Sequence, residues 1–223
     1  MQKNIHVTGP VDGLKEALEE RLTRAGASIV ADPADSELIV GVNQEEGCDI
    51  AILPLGSKSP KTKVVIELSD VINPGSGGNW GSQIMIDWVR QIKNEIEPEI
   101  EPVDRFWVNV RDVTEAITCL CMSEKEPNLS GTFRMCGRRA WSSEDVIDEI
   151  RILWERYNNA INHSHTIESL SEIPSPVRGI YSEKSETPDL SGIHQALIAS
   201  GSDGWHPVVP MRVSIMEMIA HTN

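Results

Sequence analysis

The sequence predicts an α/β fold, a Rossmann-like three-layer core with a mainly parallel sheet followed by a small C-terminal α+β lobe. Short β-rich runs alternate with a helical stretch over the first 95 residues, the pattern left by a parallel sheet covered by helices. The 223 residues, 39% hydrophobic and 24% charged, suffice for one sizeable core and a modest appendage. The second half then changes character, with a long polar stretch between its helices. The expected division is a core over 1–110 and a lobe over 111–223 packed on it, with one continuous domain as the alternative.

NIHVTG (4–9) reads as the first strand. Over 13–26, Leu14, Ala17, Leu18, Leu22 and Ala25 share one helical face, and Gly26 closes the helix. ASIVAD (27–32), ELIVGV (37–42), CDIAILPL (48–55) and TKVVIEL (62–68) supply four further strands. A parallel crossover normally takes a dozen or more residues. The eight from Leu55 to Thr62 reach roughly 26 Å at about 3.3 Å each. That is enough to return along one strand and step sideways without a helix; otherwise the TKVVIEL strand is antiparallel at the edge. After the NPGSGG loop (73–78), Trp80, Ile84, Trp88 and Ile92 form one stripe of a helix. The acidic EIEPEIEPVD (95–104) reads as a solvated connection.

FWVNV (106–110) is the next strand, followed by a helix from Arg111 to about Met122, a strand GTFRMCG (131–137) and a helix starting at Ser142 or Ser143. Either Ser142 with Asp145 or Ser143 with Val146 makes the cap, and Glu144 and Asp145 suit the helix dipole both ways. Asn158 to Asp189 is polar and proline-broken, a long loop, and VPMRVSIMEMIAH (209–221) closes the chain as a short helix.

Lysine and arginine total 20 against 34 aspartate and glutamate, a net charge of −14. Such a field repels phosphate backbones and anionic headgroups, which excludes nucleic-acid and membrane-surface roles. No apolar run approaches the roughly 20 residues that span a bilayer, and MQKNIHVTGP lacks the apolar core of a signal peptide. A cytoplasmic protein is expected. Cys48, Cys119, Cys121 and Cys136 fit neither a disulfide framework nor a zinc pair, and His163 and His165 lack a third ligand, so no metal is expected.

The first strand, turn and helix occupy the place where a dinucleotide fold cradles a pyrophosphate on backbone N–H groups. TGPVDGL supplies Gly9 and Gly13 without a full glycine run. Asp12 takes the central glycine position, setting a carboxylate beside the anion, and Lys15 takes the last, where it partly offsets that charge. The candidate cofactor residues of this turn are Thr8, Gly9, Asp12, Gly13 and Leu14. Asp32, about 20 residues further on, is placed to bond a ribose hydroxyl and to favour NAD over NADP; the plainer alternative is a loop aspartate before Pro33.

VTGPVDGLKEALEERLTRAGASIVAD, CDIAILPLGS, KVVIELSDVINPGSG, DRFWVNVRDVTEAI, GTFRMCGRRAWSSEDVIDEI and DLSGIHQALIASGSDGWHPVVP follow one another as blocks do in the extended short-chain dehydrogenases. The chain resembles that family, the NAD-dependent nucleotide-sugar epimerases and dehydratases, over nearly its whole length. The resemblance implies NAD and a nucleotide or nucleotide sugar as ligands. It places Leu53 and Pro54 where the family has histidine and leucine in a fourth-strand cofactor motif. Asn73-Pro74-Gly75 resembles the sugar-nucleotide loop, Arg105 and Arg178 match arginines near the nucleotide diphosphate, and Trp205 and Pro207 match a structural turn.

The family's redox chemistry uses a tyrosine with a lysine four residues on, side by side on one helical face. Here Tyr157 is followed at that spacing by Ile161, and Tyr181 by Ser185. Leu55 to Thr62 replaces the family's catalytic helix and serine strand, and Glu67 and Asp70 stand where it has arginine and asparagine. No catalytic residue is therefore assigned. The leading expectation is a nucleotide-binding homologue without tyrosine-dependent redox chemistry. One alternative is an active enzyme whose acid and base lie among Asp70, Asp112, His194 and Glu67. The other is a structural partner subunit that binds no nucleotide, recognisable by a pocket filled with side chains. Family members dimerise through a helix bundle whose central helix is missing here. The stripe of the Trp80 to Lys93 helix is then left exposed, to be covered by another part of the chain or by a homodimer of non-family arrangement, the latter being favoured.

Overall fold

The structure, a computed structural model, describes residues 2–57, 61–74, 80–123, 129–164, 166 and 187–222. Its strands are β1 (Asn4–Thr8), β2 (Ser28–Ile29), β3 (Leu38–Val42), β4 (Ile50–Pro54), β5 (Val64–Leu68), β6 (Val71–Ile72), β7 (Val108–Asn109) and β8 (Gly131–Met135). Its helices are α1 (Gly13–Arg24), α2 (Ser82–Lys93), α3 (Val110–Met122), α4 (Ser143–Ile161), α5 (Ser191–Ala199) and α6 (Met211–His221). Six strands form one sheet in the order β2-β1-β3-β4-β5-β8 with every pair parallel, and β6 and β7 form a small parallel pair. This is the Rossmann-like α/β architecture expected.

Strand alternation sends Ile5, Val7, Val40, Val42, Ile50, Ile52, Val64 and Ile66 to one face. There they are buried with Leu14, Leu18 and Leu22 of α1, Val113 and Ile117 of α3, and Ile193 and Leu197 of α5. Each fully buried leucine or isoleucine contributes about 1.5–3 kcal/mol, which makes this cluster the chief source of stability. On the opposite face Ala51, Leu53 and Val65 form a smaller cluster against Cys48.

The strand at 64–68 is parallel, which settles the direction left open by the short connection. The return from β3 to β4 is shorter still, residues 43–49. It folds back over Gly41, where an added Cβ would lie 2.7 Å from Cys48 Sγ and 2.9 Å from the Gln44 carbonyl. Asn43 N–H donates to Ile52 O and Asp49 N–H to Ile39 O, so the ladder is taken up again as soon as the chain has stepped across. Thr62 Oγ1 donates to Glu45 O at 2.7 Å and ties the two returns together.

Several expectations are corrected. The second strand shrinks from 27–32 to Ser28–Ile29, and FWVNV keeps only Val108–Asn109. The strand expected in a C-terminal lobe is β8, the sixth strand of the main sheet, and α3 packs on α1 in the same core as the first half. A boundary at 110/111 thus runs between elements that share one hydrophobic cluster. The helix Ser191–Ala199 was not foreseen. Ser142 proves to be the α4 cap, its Oγ accepting from Asp145 N–H at 3.1 Å. The expected loop from Asn158 to Asp189 begins with the last residues of α4, and most of it, like Gly75 to Gly78 of the NPGSGG loop, lies outside the described residues.

The exposed stripe on α2 is also corrected. Trp80 and Trp88 are each 2% exposed. Trp80 joins the sheet core, while Met85, Trp88 and Val89 pack against Val146, Ile150 and Leu153 of α4 and Ile215 and Met218 of α6. Ile84 and Ile92 lie partly buried against the same cluster. Helices α4 and α6 cover the face that a homodimer was expected to use, which is the other outcome the sequence left open. Among the described residues no helix is long and apolar enough to cross a membrane.

Candidate functional site

In an open parallel sheet, ligands bind beyond the carboxyl ends of the strands. There β1 runs through Thr8, half-buried, into Gly9. Gly9 has φ +115°, and an added Cβ would stand 1.9 Å from the Val42 carbonyl, so glycine is required by the close approach of the turn to β3. Asp12 is the cap of α1, with Oδ1 accepting from Lys15 N–H at 2.9 Å. Its Oδ2 accepts from Trp80 Nε1–H at 2.8 Å. Lys15 Nζ turns back to donate to Gly9 O at 3.1 Å and lies 4.0 Å from Glu19. Gly13 opens the helix half-buried, whereas Leu14 is fully buried and faces the core.

These contacts test whether a dinucleotide fits. A pyrophosphate at this turn needs the free N–H groups and positive end of the helix. Asp12 takes one of those donors and brings a negative charge to the same place, and the buried indole holds it there. As arranged, the turn does not fit a diphosphate.

Asp32 follows β2, exposed, with Oδ1 accepting from Ala34 N–H at 2.9 Å to cap a short 3-10 turn, Pro33–Asp35. Leu53 is buried in the small cluster of the opposite face, and Pro54 ends β4, its carbonyl accepting from Ser57. Asn73 is buried just beyond β6. Arg105 donates to Asp70 Oδ1 at 3.1 Å and Glu101 Oε2 at 2.8 Å, with its guanidinium 5.6 Å from the Trp107 ring centre. Burial opposes its charge, but Glu101 and Asp70 outweigh that and hold its pKa above the ordinary value. Arg178 lies outside the described residues.

The four acid–base candidates are not brought together as a reactive set. Asp70, at φ +54°, accepts from Arg105 and from Phe106 N–H at 2.9 Å. Glu67 sits in β5 in register with Arg134 of β8. Asp112 accepts from Val208 and Val209 N–H, pinning the chain ahead of α6 to the start of α3. His194 Nδ1 accepts from Trp205 N–H at 3.0 Å, so it presents a lone pair to the backbone. Asp70, Asp112 and His194 are each fastened in a structural bond. Among the described residues no group of three His, Cys, Asp or Glu side chains is placed to hold a metal ion.

A cleft of about 370 Å³, lined by Ile39, Glu46, Gly47, Cys48, Asp49, Lys61 and Thr62, opens at the amino ends of β3 to β5, away from the Gly9–Asp12 turn. Burial raises the Cys48 thiol pKa there, which keeps it a thiol. Sequence reasoning missed the indole of Trp80. Its apolar body was legible in the helical stripe, but a buried indole N–H also needs an acceptor.

Neither protein-family models nor curated proteins match the chain. Solved structures do. The RMD structure from Pseudomonas aeruginosa, complexed with NADPH, superposes with a TM-score of 0.59 at 14% identity, over 99% of this chain and 97% of its own. The Bordetella bronchiseptica enzyme WbmF in complex with NAD+ and UDP gives 0.60 at 9% identity, covering 99% and 92%. UDP-N-acetylglucosamine 4-epimerase from Bacillus cereus gives 0.61 at 12% identity, covering 98% and 99%. At this identity the likeness establishes the fold, and the chain shares the Rossmann-like architecture of these enzymes.

Proposed function

We propose that the chain is a nucleotide-binding homologue of nucleotide-sugar epimerases and dehydratases that performs no tyrosine-dependent hydride chemistry, its diphosphate seat closed at rest by its own side chains. The observation that carries this reading is the Asp12 carboxylate, bound at once to Lys15 N–H and to the Trp80 indole. The absence of any Tyr-x-x-x-Lys from the sequence supports it. NAD is the proposed dinucleotide, with its ribose at Asp32. A nucleotide or nucleotide sugar is proposed on the side of Asn73 and Arg105. Binding requires Asp12 to leave the seat, so the apparent affinity is reduced by the small fraction of molecules in which it has left.

The test is calorimetric titration of NAD into the wild type and Asp12→Gly. Glycine is tolerated as a helix cap at a cost of a few tenths of a kcal/mol. The variant also leaves the buried Trp80 N–H without its acceptor, a further cost of about 1–3 kcal/mol, so a thermal midpoint is measured to check that it is folded. NAD is expected to bind the wild type weakly and the variant at least about tenfold more tightly, a gain of about 1.4 kcal/mol. In the opened variant, Asp32→Ala is expected to weaken NAD about tenfold through the loss of one charge-assisted hydrogen bond. Tight binding to the wild type with no gain in Asp12→Gly, or NADH formation from any nucleotide sugar, would sink the proposal.

A second reading, a structural partner subunit that binds no nucleotide, is favoured by the same filling of the seat by Asp12 and Trp80. It is the one to adopt if Asp12→Gly gains no affinity for NAD, NADP or any nucleotide sugar.

A further inference from the structure

The connection between α2 and β7 displays apolar side chains that the fold does not absorb. Among the described residues nine large hydrophobic side chains are exposed, and three of them, Ile96 at 57%, Ile100 at 51% and Val103 at 59%, fall within residues 96–103. Isolated exposed hydrophobics are ordinary, but a cluster this dense in the chain calls for an explanation. The segment repeats a four-residue unit, Glu95-Ile96-Glu97-Pro98 and Glu99-Ile100-Glu101-Pro102.

Its backbone is fastened while these side chains stay out. Ile96 N–H donates to Gln91 O at 2.8 Å across Glu95, which has φ +58°, so α2 ends in a Schellman turn. In such a turn the residue at the Ile96 position usually packs on the last helical turn. Trp88 Nε1–H donates to Glu99 O at 3.1 Å and Ser143 Oγ–H to Glu101 O at 3.0 Å, and Pro98 is buried. Glu97 pairs with Arg151 and Glu101 with Arg105. A surface already held in place loses little freedom on binding.

We infer that this strip docks a basic partner segment in which apolar side chains alternate with lysine or arginine. Exposed Glu95 and Glu99 flank the isoleucines and match such a partner in charge. A second copy is the wrong occupant, because it would bring another chain of charge −14 with the same glutamates against these. Pro98 and Pro102 lack N–H groups, so the partner reads side chains rather than adding a β-strand.

The test uses a fluorescent peptide of Lys-Leu-Lys-Pro repeats and a control of Lys-Ser-Lys-Pro repeats with equal charge. The leucine peptide is expected to bind at least about tenfold more tightly than the control, since one buried leucine is worth about 1.5–3 kcal/mol. That preference is expected to vanish in Ile96→Ser/Ile100→Ser/Val103→Ser, which changes neither the charge nor any buried residue. A thermal midpoint checks that the variant is folded. Equal binding of the two peptides, an undiminished preference in the variant, or wild-type dimers in light scattering that the variant abolishes would each overturn the inference.

Discussion

Gly9→Ala is expected to destabilise the fold by about 3 kcal/mol or more, read as a lower urea midpoint with no ligand present. The methyl would stand 1.9 Å from the Val42 carbonyl, and Gly9 has φ +115°, which a side chain rarely adopts. Val42 cannot retreat, because β3 is bonded to β1 on one side and β4 on the other. The result separates two roles for this glycine. If it served only to let a phosphate approach, the variant would keep its apo stability within about 0.5 kcal/mol and lose only nucleotide affinity. An unchanged midpoint would therefore show that the turn can relax and that the packing argument is wrong.

How much of this was legible beforehand follows from the range of each interaction. The apolar face of α1 is a local pattern, and Leu14, Leu18 and Leu22 are buried as their spacing requires. The strands at 38–42, 50–54 and 64–68 are short β-branched runs buried on both sides, equally plain. GTFRM at 131–135 was recognised as a strand, but nothing local says that it pairs with β5 and finishes the first sheet. Ser191–Ala199 carries only three buried residues, Ile193, Ala196 and Leu197, too few to announce a helical face. The site divides in the same way. Asp12 stands just before a helix, a position that favours aspartate as a cap, whereas its bond to Trp80 joins residues 68 positions apart. His194 and Asp70 are acid–base candidates by their chemistry, and only in the alternative reading of an active enzyme. Their backbone partners, Trp205 N–H and Phe106 N–H, carry no side-chain signal in a sequence.

Asp112 is the most consequential of these fastened groups. It is 7% exposed, and its carboxylate accepts from Val208 N–H at 2.8 Å and from Val209 N–H at 3.2 Å. Asp112→Ala leaves both donors without their partner and is expected to cost about 2–3 kcal/mol at neutral pH. The sign of its pH dependence follows from burial. Desolvation raises its pKa above 3.8, although the two N–H donors and Arg111 pull it down. Between 3.8 and the raised value the folded chain holds a proton that the unfolded chain has lost. This contribution to stability is thus complete below the unfolded pKa and is lost as pH rises through the folded one. Asp112→Asn keeps an acceptor oxygen but does not titrate. In paired urea denaturations, the wild type is expected to gain on Asp112→Asn as the pH is lowered from 7 toward the ordinary carboxylate value of 3.8. A wild type that loses ground to Asp112→Asn on acidification would instead mean that the two backbone donors and Arg111 outweigh desolvation, and that Asp112 holds the chain ahead of α6 chiefly as a charge.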